Sequence, residues 1–218
     1  MKLLLTSGGF TNKTIVNALQ DLTSKPFKDL SLAFIPTASN VEEGDKGWLV
    51  DDMNNAKKLG FSSFDIVDLS ALAREMWEKR LRAVDIIMVG GGNTFHLMYW
   101  MNKSGLSEIL RDLLKTKVYV GISAGSMVMA PSLALSQSAK LYYEDIGTDK
   151  MDEGLGFVNF QVRPHLNSEW FPKVRDEYLK ELAKGIKDPI YAIDDDTAIQ
   201  VDGGKIHVVS EGKWLKYN

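Results

Sequence analysis

Two stretches decide the fold: Ile86-Ile87-Met88-Val89-Gly90-Gly91-Gly92-Asn93-Thr94 and Val118-Tyr119-Val120-Gly121-Ile122-Ser123-Ala124-Gly125. Each is a short, continuous apolar run that ends in glycine. Between them, Leu106, Ile109, Leu110, Leu113 and Leu114 fall on one face of a helix. Strands with no polar face, joined by helices, belong to a parallel sheet covered on both sides. The pattern extends outward from this centre. Upstream lie apolar runs at Leu3–Leu5, Leu30–Ile35 and Phe64–Val67. These alternate with helical spacing at Ile15, Ala18, Leu19 and Leu22, at about 45–59, and at 71–81. The alternation predicts an α/β fold with a doubly wound, mostly parallel sheet. From Ala130 the pattern loosens, and helical spacing returns only at Phe171, Val174, Tyr178, Leu179 and Leu182. The chain closes on short strands with a hairpin turn at Asp202-Gly203-Gly204.

Composition bounds what such a fold can do. The 218 residues carry 29 Asp and Glu against 26 Lys and Arg, a net charge of −3, so nothing favours a nucleic-acid or anionic-membrane partner. Length and the lack of a linker predict one domain over residues 1–218. Cysteine is absent, which excludes disulfides, thiolate metal sites and a cysteine nucleophile, and fits a reducing cytoplasm. The apolar start at Leu3 is too short for a signal-peptide core, and no run is long enough to span a membrane.

Gly121-Ile122-Ser123-Ala124-Gly125 is a G-x-S-x-G elbow between an apolar strand and a small-residue run. In that context a serine on a strained turn exposes Oγ, and the following helix N-terminus and backbone N–H face a developing oxyanion. A glycine-bounded turn with a helix-capping serine is the plainer alternative. The Gly90-Gly91-Gly92 cluster should lie beside the elbow, at the carboxyl ends of the strands, with Asn93 or Thr94 capping the next helix. It lacks the spacing of a dinucleotide or phosphate loop.

Three histidines are present: His96, His165 and His207. His207 reads as a solvent-facing strand residue and His96 as a surface or helix-packing one. His165 follows Val162-Arg163-Pro164 at a strand end and is well placed to be a base. Asp194-Asp195-Asp196 follows the strand Ile190–Ile193. Three consecutive acids usually form a solvated turn or a metal site, and the further ligands that a metal would want at defined spacing are missing. One of the three can still turn inward to hold the imidazole. The order serine, histidine, aspartate differs from the orders in α/β-hydrolases, chymotrypsin and subtilisin.

On Val89–Phe95, Gly121–Gly125, Pro164-His165 and Asp194–Ile199, the chain resembles the peptidase E (α-aspartyl dipeptidase) group of serine peptidases and the related cyanophycinases. The resemblance implies a flavodoxin-like fold similar to class I glutamine amidotransferases. It implies Ser123 as nucleophile, His165 as base, and an oxyanion hole from the N–H groups of Gly91, Gly92 and Ala124. It assigns the acid to Asp195, where the family carries the longer glutamate, and substrate contacts to Asn93 and Arg175, the latter toward an N-terminal aspartate. The function expected is a cytoplasmic exopeptidase or dipeptidase for small peptides, working through an acyl-enzyme without metal or cofactor. An esterase or amidase on the same triad, and a non-catalytic ligand-binding protein of the same fold, are the alternatives.

Overall fold

The computed structural model describes residues 1–141 and 152–218, so part of the loosened stretch after Ala130 lies outside the described residues. Among the described residues, ten strands and seven α-helices follow one another. They are β1 (Lys2–Thr6), α1 (Lys13–Thr23), β2 (Ser31–Ile35), α2 (Gly47–Lys58), β3 (Ser63–Ile66), α3 (Arg74–Ala83) and β4 (Ile86–Val89). Next come α4 (Thr94–Lys103), α5 (Leu106–Leu113), β5 (Val118–Ile122), α6 (Ala124–Met127), β6 (Gln161–Arg163) and α7 (Asp176–Ala183). The chain ends with β7 (Ile190–Ile193), β8 (Thr197–Asp202), β9 (Lys205–Ser210) and β10 (Trp214–Tyr217).

Seven strands form one sheet in the order β3-β2-β4-β5-β1-β8-β9. The first five are parallel, and β8 and β9 add an antiparallel edge. Because neighbouring residues on a strand face opposite ways, each apolar run supplies both faces of the sheet. Leu3, Leu5, Ile87, Val89 and Tyr119 pack with Trp77, Leu97 and Leu110 on one face. Leu4, Ile86, Met88 and Val120 pack with Ile15, Leu19 and Phe34 on the other. Each such side chain, fully buried, contributes about 1.5–3 kcal/mol. This is the doubly wound, mostly parallel arrangement that the apolar runs predict, consistent with a flavodoxin-like fold.

Two features depart from the expectation and a third narrows it. A second sheet, ordered β10-β7-β6, stands apart from the first, with β6 and β7 parallel. The terminal strands therefore split: β8 and β9 extend the large sheet around the turn at Gly203 and Gly204, while β10 crosses to pair with β7. The helical stripe expected from Phe171 begins only at Asp176, because the stretch before it is held in turns. His96 is buried on α4, which removes the surface reading and leaves the helix-packing one. Among the described residues, no helix is long and apolar enough to cross a membrane.

Candidate active site

Ser123 sits between the end of β5 and α6 with φ 48° and ψ −108°. A non-glycine residue at positive φ and outside the left-handed well stores roughly 1–3 kcal/mol, so its surroundings must hold it there. Thr6, at the end of β1, supplies much of that hold. Its carbonyl accepts from Ser123 N at 3.1 Å and from Ser126 Oγ at 2.7 Å, and its own Oγ1 donates to the Gly121 carbonyl at 2.7 Å. The last glycine of the motif is a packing requirement: a Cβ on Gly125 would stand 2.2 Å from the Val89 carbonyl oxygen of β4. The helix after the elbow is a single turn of four residues, shorter than the motif implies. One turn carries little macrodipole, so charge stabilisation at this point falls to individual N–H groups.

His165 lies two residues beyond β6 with φ 64°. Its Nε2 is 2.8 Å from Ser123 Oγ, and its Nδ1 is 2.8 Å from Asp195 Oδ1. With a carboxylate on Nδ1, the neutral ring carries its proton there and leaves Nε2 as an acceptor for the serine hydroxyl. Asp195 is the acid of the three that turns inward. Asp194 instead pins the β7–β8 turn, accepting from Thr197 Oγ1 at 2.7 Å and from Asp196 N at 3.2 Å. The Asp196 carbonyl accepts from Asn12 Nδ2 and from Glu211 N, on the exposed side. Burial works to raise the Asp195 pKa. The hydrogen bond and charge of His165, together with the Ser7 hydroxyl, outweigh it and hold the carboxyl below its ordinary value.

Ser7, one residue past β1, went unnoticed in the sequence. Its hydroxyl donates to Asp195 Oδ1 at 2.5 Å and accepts from the His165 backbone N–H at 2.8 Å. It therefore ties the large sheet to both residues brought by the small one. The visible signal was a serine opening the Ser7-Gly8-Gly9 turn at a strand end, which only tertiary contact singles out. The helical spacing places Phe171 at the start of a stripe, yet its ring stacks on the His165 imidazole at 4.3 Å between centroids and 5° between planes. That stacking helps to fix the plane of the imidazole.

The glycine loop arrives as expected. A Cβ on Gly91 would be 3.3 Å from Ser123 Cβ. Gly92, at φ 126°, leaves no room for any side chain, since a Cβ would stand 2.3 Å from the Ala38 carbonyl oxygen. Among the described residues, the N–H groups of Gly91, Gly92 and Ala124 have no protein acceptor. Two side chains that the resemblance assigns to substrate contacts have protein partners. Asn93 is 6% exposed and caps α4: its Oδ1 accepts from His96 N at 3.0 Å, and its Nδ2 donates to the Ala139 carbonyl at 3.1 Å. Arg175 donates to the carbonyls of Ser168, Phe171 and Val174 at 3.0–3.2 Å. Its guanidinium clamps the loop carrying Phe171 rather than standing free over the serine. Among the described residues, no group of three or more His, Asp or Glu side chains is placed to hold a metal ion.

Comparison with known proteins bears on this geometry. The model of peptidase family S51 matches residues 3–209. An uncharacterized peptidase of Pasteurella multocida is 32% identical over 180 residues, 79% of this chain and 81% of its own. One of Listeria monocytogenes is 30% identical over 181 residues, 81% of this chain and 84% of its own. The crystal structure of a Listeria monocytogenes protein provisionally named peptidase E superimposes with a TM-score of 0.81 at 26% identity, covering 97% of this chain and 98% of that one.

Proposed function

The chain belongs to peptidase family S51 and is a serine-type peptidase, and from that premise we propose that Ser123, His165 and Asp195 form its catalytic triad in an exopeptidase for small peptides. The observation that carries the reading is the continuous relay from Ser123 Oγ through His165 to Asp195, two contacts of 2.8 Å each. His165 Nε2 takes the serine proton as Oγ attacks the scissile carbonyl, while Asp195 stabilises the imidazolium that forms. The carbonyl oxygen becomes an oxyanion facing the N–H groups of Ala124 and the Gly91-Gly92 loop. His165 then gives its proton to the leaving amine. Water, activated by the same imidazole, releases the acyl group and regenerates Ser123. The strained φ of Ser123 suits this work, because it holds Oγ out of the packed elbow and in line with the base.

The preference for an N-terminal aspartate that the resemblance to peptidase E implies draws on Arg175 only if its guanidinium leaves the carbonyls of Ser168, Phe171 and Val174. A fluorophosphonate probe tests the mechanism. Labelling at Ser123, lost in Ser123→Ala, is the expected result; an unlabelled wild type that still cleaves dipeptides would remove the serine mechanism. A panel of dipeptides against longer and N-blocked peptides tests the exopeptidase reading, which predicts cleavage of the free dipeptides.

A further inference from the structure

Helix α2 presents two side chains one helical turn apart, Trp48 toward Gly91 and Asp52 toward Gly9. The Trp48 ring comes within 3.8 Å of the Cβ position of Gly91, which is itself 3.3 Å from Ser123 Cβ. Asp52 Oδ1 is 3.5 Å from the Cβ position of Gly9, and the Cβ position of neighbouring Gly8 is 3.1 Å from Asp195 Cβ. The Gly8-Gly9 turn thus separates two carboxylates. Asp195 has His165 and Ser7 as partners, whereas Asp52, among the described residues, has no hydrogen bond and no ion pair. Its ionisation is opposed by burial and by the nearby charges of Asp51 and Asp195. A half-buried carboxylate without a partner beside a reaction centre is destabilising by itself and gains most when a cation arrives.

We propose that Asp52 is a specificity-determining residue that receives an ammonium group of the substrate's first residue, with the face of Trp48 beside it. The proposal rests on the exopeptidase reading and deepens it. In a peptide cleaved after its first residue, the α-ammonium is separated from the scissile carbonyl by one carbon, so a carboxylate near the serine meets it directly. Its charge-assisted hydrogen bond would relieve the buried charge of Asp52, and the exposed indole adds a cation–π contact. A blocked N-terminus would set a neutral amide against that carboxylate. Selection for free N-termini follows, and internal peptide bonds are refused without a steric plug. A lysine side chain at the first position offers the same ammonium chemistry by a longer reach.

The test follows protection of Ser123 from a fluorophosphonate probe, each protein being scaled to its own unprotected labelling rate. The competitors are L-alaninamide, N-acetyl-L-alaninamide and N-acetyl-L-lysinamide, on wild type and on Asp52→Asn, which keeps shape and removes charge. The half-protecting concentration of L-alaninamide should rise roughly 10- to 100-fold in the variant, with that of N-acetyl-L-alaninamide unchanged. A rise confined to N-acetyl-L-lysinamide would also support the ammonium site and place the cation on the side chain. Equal effects on all three competitors, or none, with Ser123 labelled normally in the wild type, would overturn the role of Asp52 and leave the serine mechanism standing. Failure of the wild type to label would overturn both.

Discussion

The seven-stranded sheet presents Ser123 from a turn shaped by the residues next to it, whereas the three-stranded sheet presents His165 and Asp195 from two strand ends that meet because β6 pairs with β7. The turn at Ser123 is shaped from nearby, by Gly121, Gly125 and the strand between Val118 and Ile122, and is pinned by Thr6 of β1 from more than 110 residues away. His165 and Asp195 are 30 residues apart, and they come into register through the pairing of Arg163 with Ala192. Ser7 joins the two halves from a third place, near the start of the chain. The difference teaches that one side of this site is a local backbone device fastened to its neighbouring strands and the other is wholly a product of assembly. Substitutions should then fail in different ways on the two sides.

The largest effect belongs to the local side. Ser123→Ala should lower kcat on the order of 10⁶-fold while leaving the thermal midpoint close to wild type, because the hydroxyl carries chemistry rather than packing. Substantial residual turnover would place the nucleophile elsewhere. On the assembled side, Asp195→Asn should cost about 10⁴ in kcat by disfavouring the needed tautomer. Asp194→Asn should spare kcat far more and lower the melting temperature instead, since Asp194 holds Thr197, Asp196 N and Lys213 N in the turn. If kinetics ranked Asp194 above Asp195, the relay from the small sheet would be misassigned.

The joint between the two halves comes next. Ser7→Ala removes one hydrogen bond to a carboxylate and one from the His165 backbone, and should lower kcat roughly 10- to 100-fold with little change in KM. An unchanged kcat would mean that pairing of β6 with β7 orients His165 without help from the large sheet. Arg175→Met should lower activity about tenfold through the loop that stacks Phe171 on His165, and equally for Asp-X and Ala-X dipeptides. A KM increase confined to Asp-X would instead put Arg175 in the substrate pocket.

The smallest effect is on stability. Desolvation, Asp51 and Asp195 push the Asp52 pKa up to about 7. The folded protein therefore holds a proton that the unfolded chain releases near pH 4, so ionising Asp52 subtracts stability progressively as pH rises from about 4 through 7. Asp52→Asn should raise the melting temperature by roughly a few degrees at pH 8 and leave it unchanged at pH 4. Calorimetry at the two values checks the sign, and a loss of stability at pH 8 would show that the carboxylate is paired in solution.

Several parts of this molecule were legible in the residues alone. The parallel sheet followed from apolar runs without a polar face, and the elbow from glycines whose absent side chains let β4, β5 and α6 touch. Those signals are local, because strand period, helix period and a tight turn are set by residues within a few positions of each other. Tertiary structure decided the rest. Among three adjacent aspartates, the sequence offered no physical ground for choosing; the β7–β8 turn chose by spending Asp194 on its own backbone and sending Asp195 inward. Asn93 and Arg175 carry groups that can bind substrate, and only the fold shows the carbonyls and the N–H with which they pair. Ser7, Phe171 and Asp52 gained their places from contacts reaching from 6 to more than 180 residues along the chain. Such contacts depend on which strands and helices pack together, and a linear pattern does not encode that through any single position.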